Sequence, residues 1–257
     1  MSQNHLRFEG LAEVYDLRRP GFPPGAFEAL LARAPAEGPR LLVDVGAGTG
    51  LATRGFMAVA PESWRAIAVE PGADMRRRGA ERLAEEPRAT VIEGAAEALP
   101  IEDGSVSIVI AARALHWFDQ PAFFGEARRV LAPDGVVAGL FNRIDPHPAL
   151  DAAEAFFEEE GSDLVRRGNY DANTFAAFEA AEGFGPTERV EIPWRVEVDD
   201  EGLVGMLFSR SRLRGVIDRL GEEETRRRVL DVIADAAPGP RPHVLDHHSV
   251  LAIARRG

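Results

Sequence analysis

Cysteine is absent from this 257-residue chain, and so is lysine: all 30 basic residues are arginine. The first absence excludes disulfides and thiolate metal clusters, although by itself it fixes no compartment. The second excludes a Schiff-base lysine, and genomic base composition accounts for it before function does. There is no apolar run near the N-terminus and no stretch of about 20 apolar residues, so the sequence predicts neither export nor a membrane span, and points to a cytoplasmic protein. Internal repeats and low-complexity segments are also missing. Base falls well short of acid, leaving a formal net charge of −12. Such a field repels phosphate backbones and anionic lipid, which argues against nucleic acid and membrane surfaces as partners and leaves a small-molecule substrate. Nothing in the sequence marks an oligomeric state.

What the chain does have is apolar residue in quantity, 45% of the total. That is enough for one large α/β domain with a full core. The segment Leu41-Leu42-Val43-Asp44-Val45 reads as a buried parallel strand. It runs into Gly46, Ala47, Gly48 and Gly50, and a helical pattern begins near Leu51. Glycine permits a tight turn and a close approach by a ligand, and the helix start is expected to offer free N–H groups to something electron-rich. A dinucleotide fingerprint, G-x-G-x-x-G, would need its third glycine at Leu51, where there is none.

Further strands follow at 66–70, 90–92 and 106–112, with helices at 73–86 and 121–131. Pro133-Asp134-Gly135 reads as a turn into a strand over 136–141. This alternation predicts a doubly wound parallel sheet. An amphipathic helix at 26–34 precedes it, and helical patterns occupy 149–160, 173–181 and most of 199–240. Strict alternation from Val190 to Val198, interrupted by Pro193, reads as an edge strand with one wet face. The run from Val250 to Ala254 reads as a strand buried on both faces. His147 and His243 lie in proline-rich turns and are expected to be solvated, whereas His247 and His248 would point to opposite faces of a strand. No metal site is expected.

Glu70, at the end of the second strand, is placed to accept both hydroxyl hydrogens of a ribose; the plainer reading is a helix-capping acid. Pro71 follows it, and Met75 is read either as a thioether on an adenine face or as core.

The pattern Asp44-x-Gly46-x-Gly48-x-Gly50 resembles motif I of the class I S-adenosylmethionine (AdoMet) methyltransferases. Gly94-Ala95-Ala96-Glu97-Ala98-Leu99-Pro100 is similar to the same family's Gly-Asp-Ala-Glu-x-Leu-Pro segment, with Ala95 replacing the acid that contacts adenine. Backbone around Ala95 and Ala96, and then Glu97, would take over that contact. The stretch 111–119, together with Tyr15-Asp16-x-x-Arg19-Pro20-Gly21-Phe22-Pro23 and Phe141-Asn142-Arg143, resembles a small-molecule subgroup (methyltransferase type 11) related to the trans-aconitate type.

The resemblance implies a Rossmann-like sheet of seven strands, the last antiparallel, with helical cap insertions at 143–186 and 199–242. A single domain would then comprise an N-terminal lid and first helix (1–35), an AdoMet-binding core (39–142) and final strands at 187–198 and 247–255. It further implies that the glycine loop packs on the methionine part of AdoMet. Tyr15 and Arg19 become lid contacts, Ala111 lies beside the cofactor, and Arg113, His116, Trp117 and Arg143 line the substrate pocket. For Tyr15 the alternative is a hydrophobic anchor of the first helix.

Methyl transfer is chiefly a matter of alignment and water exclusion. His116 is therefore either a base for a hydroxyl acceptor or a pocket-lining bystander, the latter slightly favoured, because a carboxylate acceptor needs no base. The activity expected is AdoMet-dependent O-methylation of a hydroxyl or carboxylate. The rivals are an AdoMet-binding fold recruited for other catalysis or for binding and, further off, a nicotinamide-dependent oxidoreductase.

Overall fold

The computed structural model describes residues 21–161, 169–208 and 213–257. Helix α1 (Pro24–Leu31) opens on a proline in its first turn, where the missing N–H is no loss. Then β1 (Leu41–Val45), α2 (Leu51–Val59), β2 (Arg65–Val69), α3 (Ala73–Arg82), β3 (Ala89–Ile92) and β4 (Val106–Ala112) alternate. A short 3₁₀ turn, Leu115–Trp117, leads to α4 (Gln120–Val130) and β5 (Leu131–Ile144). Beyond it lie α5 (Pro148–Glu159), α6 (Asn169–Glu179), β6 (Glu188–Val198), α7 (Asp200–Phe208), α8 (Arg214–Leu220), α9 (Glu222–Ala236) and β7 (His243–Arg255).

The seven strands form one sheet in the order β3-β2-β1-β4-β5-β7-β6. β1 to β5 are parallel, and β7 lies antiparallel between β5 and β6. β6 is the edge, which is where Pro193 is tolerated. Two strands are longer than their apolar runs. β5 includes the turn at 133–135 as a bulge: Val106 pairs with Leu131, and Ile108 already with Val136. β7 begins at His243, before the continuous apolar run, because its first half buries only alternate residues.

Two hydrophobic layers flank the sheet. On one face Phe27, Leu30, Phe56 and Met57 from α1 and α2 pack on Leu42, Ile108, Ile110, Leu140 and Leu251. On the other, Phe123 and Phe124 of α4 and Phe178 of α6 cover Val43, Val109, Val137 and Ala252. Helix α6, although it lies in the first inserted segment, thus belongs to the sheet's flank. A third cluster is the cap core, where α5, α7, α8 and α9 meet through Leu150, Phe157, Leu203, Ile217, Val229 and Ile233.

The expectation that His147 and His243 are solvated is wrong. His243 is buried at the start of β7, its Nε2 2.6 Å from Asp200 Oδ1. His147 is half-buried against it, with ring centroids 5.2 Å apart, and burial lowers its pKa. Both rings stand where the chain crosses between sheet and cap, and packing there outweighs the turn-like composition.

Candidate active site

β1 ends against a loop in which Gly46, Gly48 and Gly50 all have positive φ, at 66°, 57° and 77°. Gly46 and Ala47 donate their N–H groups to the Val69 carbonyl at 2.9 and 3.1 Å, tying the loop to the end of β2. A Cβ on Gly46 would come within 2.8 Å of Ala114, so that glycine permits packing on the loop after β4. A Cβ on Gly48 would meet nothing within 4 Å; this is the position that opens onto the crevice. Gly79 of α3 supports the loop from below, where a Cβ would stand 3.3 Å from the Gly48 carbonyl. Helical spacing alone gave no sign of that role.

Glu70 is buried and holds the loop together: Oε2 accepts from Gly48 N–H and Oε1 from Gly72 N–H, both at 2.9 Å. Beneath the loop Asp44 is wholly buried, its Oδ2 accepting from the Thr53 hydroxyl at 2.6 Å. The Thr53 backbone N–H also bonds to this carboxyl. Burial pushes Asp44 up to about 7, with the Glu70 charge adding to the rise. One N–H group in the first turn of α2, that of Thr53, is thus taken by an internal carboxylate. A pyrophosphate needs such groups itself, and the buried acid would repel it. Asp44 Oδ1 has no hydrogen-bond partner. An orphaned acceptor, a ribose-suited carboxylate and an open glycine together fit a cationic, phosphate-free nucleoside such as AdoMet.

The remaining predicted cofactor residues divide between the crevice and its supports. Met75 is buried in the first turn of α3, close to Gly72, while Pro71 is exposed. Ala95 is half-buried and bridges to Ala98, Ala96 packs into the core, and Ala111 is buried near the end of β4. The Glu97 carboxylate accepts from Asp119 N–H at 2.9 Å and so secures the approach to α4. Tyr15 and Arg19 lie outside the described residues.

Arg113 follows β4 with φ 54°, its guanidinium 4.5 Å above the Phe22 ring and 3.5 Å from the Gly21 carbonyl. Asn142 donates to the same carbonyl at 2.9 Å and accepts from the Ser249 hydroxyl at 2.8 Å. His116 is exposed, stacks beside Trp117, and sets its Nδ1 3.1 Å from the Tyr170 hydroxyl. Tyr170 in turn packs on Phe141. Arg143 stands apart from this group: it pairs with Asp145 at 2.9 Å and lies 3.7 Å from Glu191. Tyr170 is 54 positions from His116, so no local pattern could have joined them. Among the described residues no group of His, Asp and Glu side chains is placed to hold a metal, and no helix is long and apolar enough to cross a membrane.

The strand order, the antiparallel β7 and the Asp44–Glu70 loop define a class I AdoMet-dependent methyltransferase. Residues 43–139 match the model of a methyltransferase domain. An uncharacterized methyltransferase of Mycobacterium tuberculosis is 30% identical over 207 residues, which is 80% of this chain and 77% of that protein. The chain belongs to this methyltransferase family. A solved type II methyltransferase from Anaeromyxobacter dehalogenans superposes with a TM-score of 0.67 at 25% identity, covering 93% of this chain and 97% of its own. A malonyl-[acyl-carrier protein] O-methyltransferase of Xylella fastidiosa is 29% identical over 123 residues, 48% of this chain and 41% of that protein.

Proposed function

We propose that this chain methylates a small molecule at oxygen, with AdoMet as donor. AdoMet, when bound, supplies a methyl group activated on a sulfonium. The observation that carries the reading is the loop itself, closed to phosphate by Asp44 and open to a ligand at Gly48. Glu70, just past the end of β2 and bonded to the loop through both carboxylate oxygens, is assigned to the ribose hydroxyls. Asp44 Oδ1, an unmet acceptor, adds negative potential beneath a cationic ligand when the carboxyl ionises, and a bound cation favours that ionisation against the burial that opposes it. Arg113, Asn142, His116 and Trp117 form the acceptor side, and the O-methyltransferase likeness supports oxygen as the acceptor atom. Arg143, drawn off by Asp145, contributes to the rim rather than to the pocket.

Calorimetry with AdoMet and S-adenosylhomocysteine, followed by transfer of labelled methyl to small-metabolite pools, tests the proposal. Binding of NADH in preference to AdoMet would refute the donor, and binding without transfer to any pool would refute the reaction.

His116 is the one residue here with two readings. With the acceptor from that screen, His116→Ala is expected to weaken acceptor binding and to change turnover by less than about tenfold, leaving the pH profile intact. A base would instead be worth roughly 10²–10⁴-fold in turnover, with recovery at high pH as the acceptor ionises unaided.

A further inference from the structure

β5, β7 and β6 continue past the end of β4, whose last pairing is Ala112 with Leu140, and so build a wall beside the crevice. In register along one face of this wall stand Asn142 with Ser249 and, one step further, Ile144 with His247 and Trp194. His247 is 1% exposed, and its ring lies 4.7 Å from the Trp194 ring. Neither ring nitrogen of His247 has a hydrogen-bond partner, and Trp194 Nε1 has none either. A fold rarely leaves three buried polar atoms unmet on two touching side chains, because each has given up its hydrogen bond to water without a replacement.

Their position offers a reason. Ile144, Leu245 and Val198 belong to the cap core, whereas Leu251 and Ile192 belong to the α1-side core. His247 and Trp194 occupy the seam between these two apolar clusters. The indole N–H only donates, and a neutral imidazole donates once. The guanidinium of Arg113 is the charged group that bears most on His247. The two rings and Arg113 thus offer donors, while the carboxylates of Asp145 and Asp246 act on His247 more weakly and in the opposite sense.

We propose that His247 and Trp194, with Arg113, form the acceptor-binding subsite of this methyltransferase and that they receive the carboxylate of a small organic acid. The assignment rests on the methyltransferase reading above and adds the class of acceptor to it. Burial, then the Arg113 charge, depresses His247 to about 4, so the ring is neutral and offers one N–H at physiological pH. In a protein of net charge −12 an anion needs such a local set of donors to enter.

The test uses the full chain saturated with S-adenosylhomocysteine, whose binding is first measured separately by calorimetry. Phenylacetate, succinate and glutarate are then titrated beside their amides by ligand-observed NMR. At least one carboxylate is expected to bind at least tenfold tighter than its amide. Trp194→Phe, which keeps an aromatic ring, though a smaller one, and removes the N–H, should weaken that carboxylate roughly tenfold or more, the worth of a hydrogen bond to a charged group. His247→Leu should do the same while raising the melting temperature of the ligand-free protein by about 2–4 °C, because it removes unmet polar atoms.

Equal binding of acids and amides, or unchanged carboxylate affinity in both variants, would overturn the subsite while leaving the donor assignment intact. A lower melting temperature for His247→Leu would overturn it as well, marking the imidazole as structural. Failure of S-adenosylhomocysteine to bind would instead remove the reading on which the subsite depends.

Discussion

Gly48→Asn abolishes donor binding and leaves the fold in place. At φ 57° this position is in the left-handed region, which asparagine tolerates better than other side chains, so the substitution adds bulk with little backbone strain. The new side chain meets no protein atom at its Cβ and projects into the crevice that a ligand would occupy. A loss of at least 100-fold in S-adenosylhomocysteine affinity is expected, about 3 kcal/mol. The matched control is Gly104→Asn, at φ 66° in the turn before β4 and also free of neighbours, which should bind normally. Calorimetry and thermal unfolding on both variants separate an occupied crevice from a damaged loop. Unchanged affinity in Gly48→Asn would place the donor elsewhere.

The second large effect concerns stability. Asp44 is wholly buried and its pKa is raised to about 7, so the native state holds its proton more tightly than the unfolded chain does. Its contribution is full below the unfolded value near 4 and is lost as pH rises through about 7. The span corresponds to an order of 4 kcal/mol. Asp44→Asn keeps an acceptor for Thr53 and cannot ionise. Relative to the parent, this variant should gain stability steadily between pH 4 and pH 8 by an amount of that order, as read from urea unfolding at several pH values. Parallel curves for the two proteins would show that Asp44 titrates normally.

The parts of the fold legible in the sequence are those whose signal is local. β1 and β4 are short, nearly continuous apolar runs, and Pro193 marked an edge because a central strand has no place for it. Long-range partners were not legible. The apolar face of α6 was visible, but not that it packs beside Phe124 on the sheet instead of joining the cap. The first half of β7 buries His243, Leu245 and His247 on one side, and the proline-rich approach disguised its start at His243 as a turn. In the site, Asp44, Glu70 and the glycines form a compact motif because the strand–turn–helix geometry is itself local. The placement of Glu97 on Asp119, of Arg143 on Asp145 and of Tyr170 beside His116 is settled by tertiary packing.

The position of β7 also bears on how this protein folds. β1, β2 and β3 assemble from neighbouring βα units, and β4 then returns to pair with β1, Ile108 opposite Leu42. β7 instead joins the free edge of β5 from about a hundred residues away, and β6 can enter the sheet only once β7 is there to pair with it. Contacts of such separation form slowly, because the entropy of closing the chain is lost before any pairing repays it. The donor loop can thus be in place while β5 still presents an unpaired edge and the β6 segment has no sheet partner, both open to pairing with other chains. Asn142, Ser249 and His247 come into register only when residues 243–255 arrive, so the wall beside the crevice is completed in the same event that gives both a partner.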